Sequence, residues 1–173
     1  MDNREPGHFC ALVVMRIVGE GVVECLAIDY MKAGGRMQVK WPGGTSKNKE
    51  VPFRDMVATL RREVREEVGE EVEINLTDDV LNGRRVILKK ELSPTHIQYF
   101  FFVSDDDISG NIRKIPKYDD DELLSPPYWI EAEKLSEKIF RSHRPALMEA
   151  LDFICRSVES SRIRYFRLLK AAV

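Results

Sequence analysis

The sequence is poor in cysteine. Its three cysteines, Cys10, Cys25 and Cys155, stand at wide and unrelated spacings. Such spacings predict neither a disulfide framework nor a zinc knuckle, because both need cysteines that recur at close, regular intervals. A reducing cytoplasmic location is therefore the simpler expectation.

Histidine is equally scarce. His8 lies in the polar N-terminal tail, His96 lies near Pro94, and His143 precedes a predicted helix. We expect a capping or surface role for His143. The three histidines predict no catalytic triad, since no serine or cysteine nucleophile signature accompanies them.

Long apolar runs and an excess of either charge are also missing. The longest apolar runs, residues 10–15 and 99–103, are too short to cross the ~30 Å hydrocarbon core of a bilayer, and residues 1–8 do not form an export signal. The chain carries 27 Lys plus Arg and 29 Asp plus Glu. This balance disfavours a dedicated binder of duplex DNA, which needs clustered cations, but leaves small anions and short oligonucleotides open as partners.

What is present fits one soluble domain. The chain has 173 residues, of which 43% are hydrophobic and 32% are charged. A chain of this length can bury roughly 70% of the surface that its unfolded form exposes, which suffices for one core. We find no internal repeat and no domain boundary, and we therefore expect a single α+β domain over residues 1–173.

Hydrophobic patterning predicts mixed strands and helices. Apolar and β-branched runs predict strands at residues 9–18, 21–30, 36–41, 71–76, 84–92, 96–103 and 128–130. Spacings of three and four predict helices at residues 52–68, 131–139 and 144–154. A tight turn should join the first two strands as a hairpin. Turns and loops are expected at residues 42–44, 45–50 and 104–121.

Four glutamates crowd the end of the longest predicted helix. They are Glu63, Glu66, Glu67 and Glu70. At about 100° per residue, all four fall within roughly a third of the circumference, next to the apolar stripe. Neighbours three or four residues apart repel each other by roughly a few tenths of a kcal/mol per pair. The helix macrodipole further disfavours negative charge at this end.

This charge pattern predicts a metal site. A solvated helix face normally interleaves lysine with glutamate, but only Arg62 and Glu66 form an opposite pair four residues apart. A divalent cation would relieve the repulsion. Oxygen ligands on a rigid helix suit Mg²⁺ or Mn²⁺, which keep several waters and also bind phosphate oxygens. The alternative is a solvated acidic face without a metal.

The segment before this helix contains a glycine pair, Gly43 and Gly44, followed by the loop lysines Lys47 and Lys49 and by Glu50. Glycines let the backbone approach a ligand closely, although an ordinary turn would also use them. The glycine pair alone is more typical of a turn, but its combination with a loop, Glu50 and an acidic helix favours a ligand-binding segment.

These residues resemble the Nudix hydrolase signature, which reads G, five residues, E, seven residues, then REUxEExGU with U aliphatic. Residues 44–50 match its first half, and residues 62–69, REVREEVG, match its second half without a break. The chain has eleven residues between Glu50 and Arg62, a four-residue insertion, and Glu70 occupies the last aliphatic position.

The resemblance implies an αβα sandwich around a mixed β-sheet and hydrolysis of the pyrophosphate linkage of a nucleoside diphosphate linked to another group. It implies that Glu66 and Glu67 bind Mg²⁺ or Mn²⁺ and that Glu63 is a further ligand or a water-orienting base. Arg62 would position the carboxylates by ion pairing. The resemblance also implies that Gly43, Gly44 and Lys47 bind the substrate. The carbonyl of Gly43 or Gly44, with Gly44 as the expected ligand, would complete the metal shell.

Other candidate residues lie outside the signature. The acidic residues 119–122 either contribute a base or a ligand to the site or form a solvated loop. The aromatic run at residues 99–102 favours a core strand over a base-stacking platform. The basic amphipathic residues 162–173 predict an extra C-terminal helix that packs on its own domain or on a second copy, as in a homodimer, rather than on a membrane.

Two functions compete. The first is a metal-dependent Nudix pyrophosphohydrolase, and the second is a catalytically weak or inactive Nudix-fold module that binds nucleotides or regulates. The second function stays an alternative because the four-residue insertion before Arg62 and the charged Glu70 depart from the signature. Nucleoside triphosphates, nucleotide sugars, ADP-ribose, dinucleoside polyphosphates and 5′-triphosphorylated RNA are all open as substrates, because the signature handles only the diphosphate.

Overall fold

A computed structural model describes residues 7–47, 55–75, 85–119 and 121–157 of the chain. Its strands are β1 (Gly7–Val18), β2 (Val22–Lys32), β3 (Gln38–Lys40), β4 (Gly43–Thr45), β5 (Glu73–Ile74), β6 (Val86–Ser93), β7 (His96–Ser104), β8 (Ile108–Ser109), β9 (Lys117–Asp119), β10 (Glu122–Leu124) and β11 (Tyr128–Glu131). Its α-helices are α1 (Met56–Glu67), α2 (Ala132–Lys138) and α3 (Arg144–Ser157).

Nine of the strands form one mixed sheet. Its central path runs β6-β7-β1-β2-β10-β9, while β3 and β11 pair with β2, and β4 pairs with β1. The β1–β2 pair is the predicted hairpin, closed by a short 3₁₀ turn in which Glu20 has a positive φ of 54°. Strands β1 and β7 run parallel, so the sheet contains both orientations.

Helices cover both faces of this sheet. Alternate residues of β1 divide between two cores, because successive side chains in a strand point to opposite faces. Cys10, Leu12 and Val14 pack with α1, whereas the cores of α2 and α3 lie against the opposite face. The α+β class and the αβα sandwich expected from the sequence are therefore confirmed.

Strand β7 carries the aromatic run. Phe100 and Phe102 point into the core below α3, and Phe101 points into the core below α1. All three side chains are buried. The expectation of a central strand buried on both faces is confirmed, and these rings belong to the core.

Several local expectations need correction. Both glycines of the turn predicted at residues 42–44 belong to strand β4, which pairs with β1. The predicted loop at residues 104–121 contains strands β8 and β9. Both errors have one cause: short strands rich in glycine or polar residues carry no propensity signal and form only because a partner strand supplies the hydrogen bonds.

His8 also differs from its expectation. It lies fully buried on β1 and not in a tail, and its Nε2 lies 2.8 Å from Thr59 Oγ1 on α1. His143 is buried as well, against the ring of Phe9, while its carbonyl accepts hydrogen bonds from the first turn of α3. The polarity of histidine suggested exposure for both residues. In the fold, His8 is buried by its contact with α1, and His143 is buried among aromatic rings.

Some predictions fall outside the described residues, namely those for Glu50, Lys49, the helix start at residues 52–54 and the segment 162–173. Domain organisation over residues 1–173 stays a prediction. Within the described ranges, none of the helices is long and apolar enough to span a membrane.

Candidate active site

Helix α1 carries two of the predicted carboxylates on its buried face. Glu63 and Glu67 lie four residues apart and one residue from the apolar positions Val64 and Val68, so they face the sheet with the apolar stripe. Their exposed fractions are 7% and 6%. Glu66 is half-buried beside them, whereas Glu70 is exposed and lies just beyond the end of the helix.

Strand β4 brings the glycine pair against these carboxylates. The backbone N–H of Gly43 donates to Glu67 Oε2 at 2.8 Å. A Cβ on Gly44 would lie 2.3 Å from Glu63 Oε1, and one on Gly43 would lie 2.2 Å from the carbonyl oxygen of Cys10. Glycine at both positions is therefore needed, in one case to admit a carboxylate and in the other to let β4 pair with β1.

Each of the three helical carboxylates is paired with a cation. Lys40 Nζ lies 2.6 Å from Glu67 Oε1, and Lys47 Nζ lies 2.9 Å from Glu66 Oε1. Arg62 is the third cation. Its Nη1 lies 2.6 Å from Glu63 Oε1 and 3.1 Å from Glu66 Oε2, and its Nη2 donates to the Thr45 carbonyl.

These pairs correct one step of the sequence argument. From the sequence, a divalent cation is needed to relieve the repulsion among the glutamates, because the helix itself offers a single opposite charge at a spacing of four residues, that of Arg62. In the folded protein, Lys40 from β3 and Lys47 from the segment after β4 supply two more. The acidic helix is thus partly neutralised by tertiary contacts, and repulsion alone does not require a metal.

The three carboxylates of α1, those of Glu63, Glu66 and Glu67, line one cleft of about 800 Å³. Opposite α1, the cleft is bordered by β2, β9 and β10. Lining residues on that side are Tyr30, Lys32, Lys117, Asp121, Glu122 and Leu124. Tyr30 donates its hydroxyl hydrogen to Glu122 Oε1 at 2.9 Å. The acidic segment 119–122 thus contributes Asp121 and Glu122 to the cleft wall, whereas residue 120 lies outside the described part of the chain.

Burial perturbs two of the carboxyl groups. The pKa of Glu63 is raised to about 7, chiefly by burial and further by the charge of Glu67, and Arg62 opposes the rise. Burial also raises the pKa of Glu67, while Lys40 and the Gly43 N–H lower it. Carboxyl groups with perturbed pKa values in a polar cleft are typical of functional sites, although structural ion pairs shift pKa values too.

The donor set fits a hard divalent cation. The available ligands are carboxylate and backbone oxygens, which suit Mg²⁺ or Mn²⁺ better than zinc. In the described ranges, no three acidic, histidine or cysteine side chains converge as a ready cage for a metal ion. Mg²⁺ is usually bound by only one or two carboxylates together with waters and substrate phosphates. Two carboxylates, such as those of Glu66 and Glu67, therefore meet the number of protein ligands that Mg²⁺ usually has.

The raised pKa of Glu63 predicts pH-dependent stability of the metal-free protein. A raised carboxyl pKa means that the folded state keeps a proton that the unfolded state has released, so stability is lost as the pH rises from about 4.5 through about 7. A shift of this size corresponds to about 3 kcal/mol at most. We expect Glu63→Gln to reduce this loss, measured by urea unfolding in chelator between pH 5 and 8.

The control for this prediction is Glu70→Gln, which removes an exposed carboxylate and should retain the wild-type pH profile. Glu67 has a pKa shift in the same direction and should preserve part of the loss in Glu63→Gln. An unchanged slope in Glu63→Gln would contradict the prediction.

Sequence reasoning missed several residues at this site. It assigned no individual role to Lys40, although that side chain bonds Glu67, and it did not single out Tyr30. Arg113 was also missed: its Nη2 donates to the carbonyls of Glu67 and Ser125 at 2.9 and 2.8 Å and ties the end of α1 to the segment after β10. Scattered single cations gave no signal, because their partners lie far away in sequence.

The described fold is similar to that of solved Nudix hydrolases. A Nudix hydrolase from Alicyclobacillus acidocaldarius is similar, with a TM-score of 0.58 and 16% identity over 90% of this chain and 97% of that one. A MutT Nudix hydrolase from Burkholderia pseudomallei has a TM-score of 0.56 and 16% identity over 84% and 98%. An ADP compounds hydrolase has a TM-score of 0.58 and 13% identity over 90% and 76%.

No protein-family model matches the chain, and no curated protein matches it. At identities of 13–16%, the structural similarity establishes the fold and leaves the chemistry to be argued from the site. The fold expected from the Nudix-like signature is confirmed.

Proposed function

We propose that this chain is a Nudix pyrophosphohydrolase that uses Mg²⁺ or Mn²⁺ to hydrolyse the pyrophosphate linkage of a nucleoside diphosphate linked to another group. One observation carries the proposal: the three helical carboxylates and the glycine pair of the Nudix-like signature line a single cleft together with several lysines. The similar fold of known Nudix hydrolases supports it.

Each protein group has a distinct task in this proposal. Glu66 and Glu67 would hold the metal, with Glu63 and the Gly44 carbonyl as further oxygen ligands. A bound divalent ion would supply charge neutralisation at the diphosphate and a lower pKa for an attacking water. Arg62 holds Glu63 and Glu66 in position through the ion pairs already described.

Glu63 has a second role open to it. A general base works best when its pKa lies near the operating pH, and in the protein without a metal ion burial raises the pKa of Glu63 to about 7. Glu63 therefore suits a group that orients water and takes up its proton. The pH dependence of turnover would distinguish a role of Glu63 as metal ligand from a role as general base.

The cleft favours a small, highly anionic substrate. Lys32, Lys47 and Lys117 line it, and Lys47 also pairs with Glu66. The ADP compounds hydrolase among the similar structures supports a nucleotide-like diphosphate. We infer that phosphates bind between α1 and the wall formed by β2 and β9, and that this is a small-molecule site.

A substrate panel tests the proposal. It should include nucleoside triphosphates, nucleotide sugars, ADP-ribose, dinucleoside polyphosphates and 5′-triphosphorylated RNA, each with Mg²⁺, Mn²⁺ or a chelator. We expect cleavage of a phosphoanhydride bond in at least one class, dependent on the metal. Hydrolysis in ¹⁸O-labelled water then identifies the phosphorus atom that is attacked. Absence of metal-dependent cleavage across the whole panel would contradict the proposal.

The second candidate function is a Nudix-fold module that binds nucleotides without hydrolysing them. The specific observation in its favour is that cations of the chain itself already pair with Glu63, Glu66 and Glu67. Such a module should bind a nucleotide in a calorimetric titration and release neither phosphate nor pyrophosphate. The two functions are thus separated by product formation at saturating nucleotide.

A further inference from the structure

Lys40 occupies an unusual position in the cleft. It is the last residue of β3 and does not belong to the Nudix-like signature, yet its Nζ lies 2.6 Å from Glu67 Oε1 and 3.1 Å from the Gly43 carbonyl oxygen. Its side chain is 17% exposed and that of Glu67 is 9% exposed. This is the most buried of the ion pairs between a lysine and a helical glutamate in the described part of the chain.

Both carboxylate oxygens of Glu67 have a hydrogen-bond partner without any metal. Oε1 of Glu67 accepts a hydrogen bond from the Lys40 ammonium group, and Oε2 accepts one from the Gly43 N–H. A buried carboxylate is stable only when its charge is compensated, so Lys40 provides the compensation that a bound cation would otherwise provide. A divalent ion that binds Glu67 must take over the oxygen that Lys40 holds or lie close to the ammonium charge.

We propose that Lys40 is an internal counter-ion that neutralises Glu67 in the metal-free protein and competes with a divalent cation for it. The inference rests on the proposed function, since it assigns a role to Lys40 at the same site. Lys40 is thus a positioning residue that acts through Glu67 and sets the metal concentration at which the site fills.

A comparison of Lys47 with Lys40 shows why the effect should be specific. The Lys47 side chain is 62% exposed, and its partner Glu66 is 32% exposed, so water screens that pair. Lys40 and Glu67 are screened far less. Removal of the Lys40 charge should therefore change metal binding more than removal of another lysine from the cleft.

The test is a calorimetric titration of the full chain with MnCl₂ in the absence of substrate. Lys40→Met should bind Mn²⁺ about tenfold more tightly than wild type, which corresponds to about 1.4 kcal/mol. The metal-free melting temperature of Lys40→Met should fall, and the increase in melting temperature on Mn²⁺ addition should exceed that of wild type.

Two control variants isolate the charge of Lys40. Lys40→Arg keeps a cation beside Glu67 and should retain wild-type Mn²⁺ affinity within about threefold. Lys32→Met removes one positive charge from the same cleft without touching a helical glutamate, and should also stay within about threefold. If Lys40→Met does not fold, Lys40→Gln carries the test, because its amide can still donate to Glu67.

The outcomes separate this inference from the proposed function. Equal or weaker Mn²⁺ binding by folded Lys40→Met, while wild type binds Mn²⁺ and cleaves a substrate, overturns the role of Lys40 alone. Mn²⁺ binding by Lys40→Met when wild type binds none supports the role of Lys40 and favours the non-hydrolysing module. Absence of Mn²⁺ binding in both proteins overturns the inference and the metal site together.

Discussion

Replacement of Glu66 by glutamine is expected to lower the turnover number by about 10²- to 10³-fold, the scale on which loss of one electrostatic stabiliser affects an active site. Glutamine has nearly the same shape as glutamate but lacks the negative charge that a metal requires. Glu66 is only half-buried, so the fold should stay intact. The measurement is steady-state hydrolysis of the best substrate of the panel, together with circular dichroism and a thermal melt.

Glu67→Gln should lower turnover on the same scale, but it also leaves the buried Lys40 ammonium without its carboxylate partner. A loss of stability is therefore expected for Glu67→Gln and not for Glu66→Gln. The matched control is Glu70→Gln, at the exposed position just after the same helix, which should keep wild-type turnover. Full activity in both Glu66→Gln and Glu67→Gln would refute the metal assignment.

The two adjacent glycines should respond to alanine in opposite ways. At Gly43 the φ of 151° and the backbone atoms of Cys10 and Ala11 leave no space for a Cβ. Because backbone atoms of a paired strand cannot move aside, Gly43→Ala should cost about 3 kcal/mol or more of folding free energy. Urea unfolding provides the measurement.

At Gly44 the added Cβ meets the end of the Glu63 side chain, 2.3 Å from Oε1. That side chain can rotate away, so Gly44→Ala should keep most of its stability while losing activity by about 10²-fold, as expected when a catalytic group is displaced by about 1 Å. Gly19→Ala is the control, since nothing lies within 4 Å of a Cβ at that position. A stable Gly43→Ala variant, or a fully active Gly44→Ala variant, would contradict the geometry of β4.

For the acidic helix, the local sequence was enough to predict which residues face the core and where the helix ends. The spacing of Leu60, Val64 and Glu67 places a carboxylate on the buried face, and this follows from helix geometry alone. The same reasoning placed Gly69 after the helix, where its N–H bonds the Val64 carbonyl. The roles of these residues in catalysis are not decided by helix geometry and stay predictions.

Other parts of the site had no local signal. Strand β4 was expected to be a turn, because glycine has low strand propensity and only the pairing with β1 makes it a strand. His8 was assigned to a tail because the preceding residues are polar. In the fold it is buried beside Thr59, which lies 51 positions further along the chain.

By itself, the sequence determined the acidic helix, the hairpin, the buried aromatic strand and the resemblance to Nudix hydrolases, since each depends on residues that are close together along the chain. The tertiary structure alone decided that Lys40 and Lys47 join Arg62 in neutralising the helix. Lys40 and Glu67 are separated by 27 positions, and Tyr30 and Glu122 by 92. The physical reason is that strand pairing and helix packing, which depend on the whole core, bring such groups within hydrogen-bond distance.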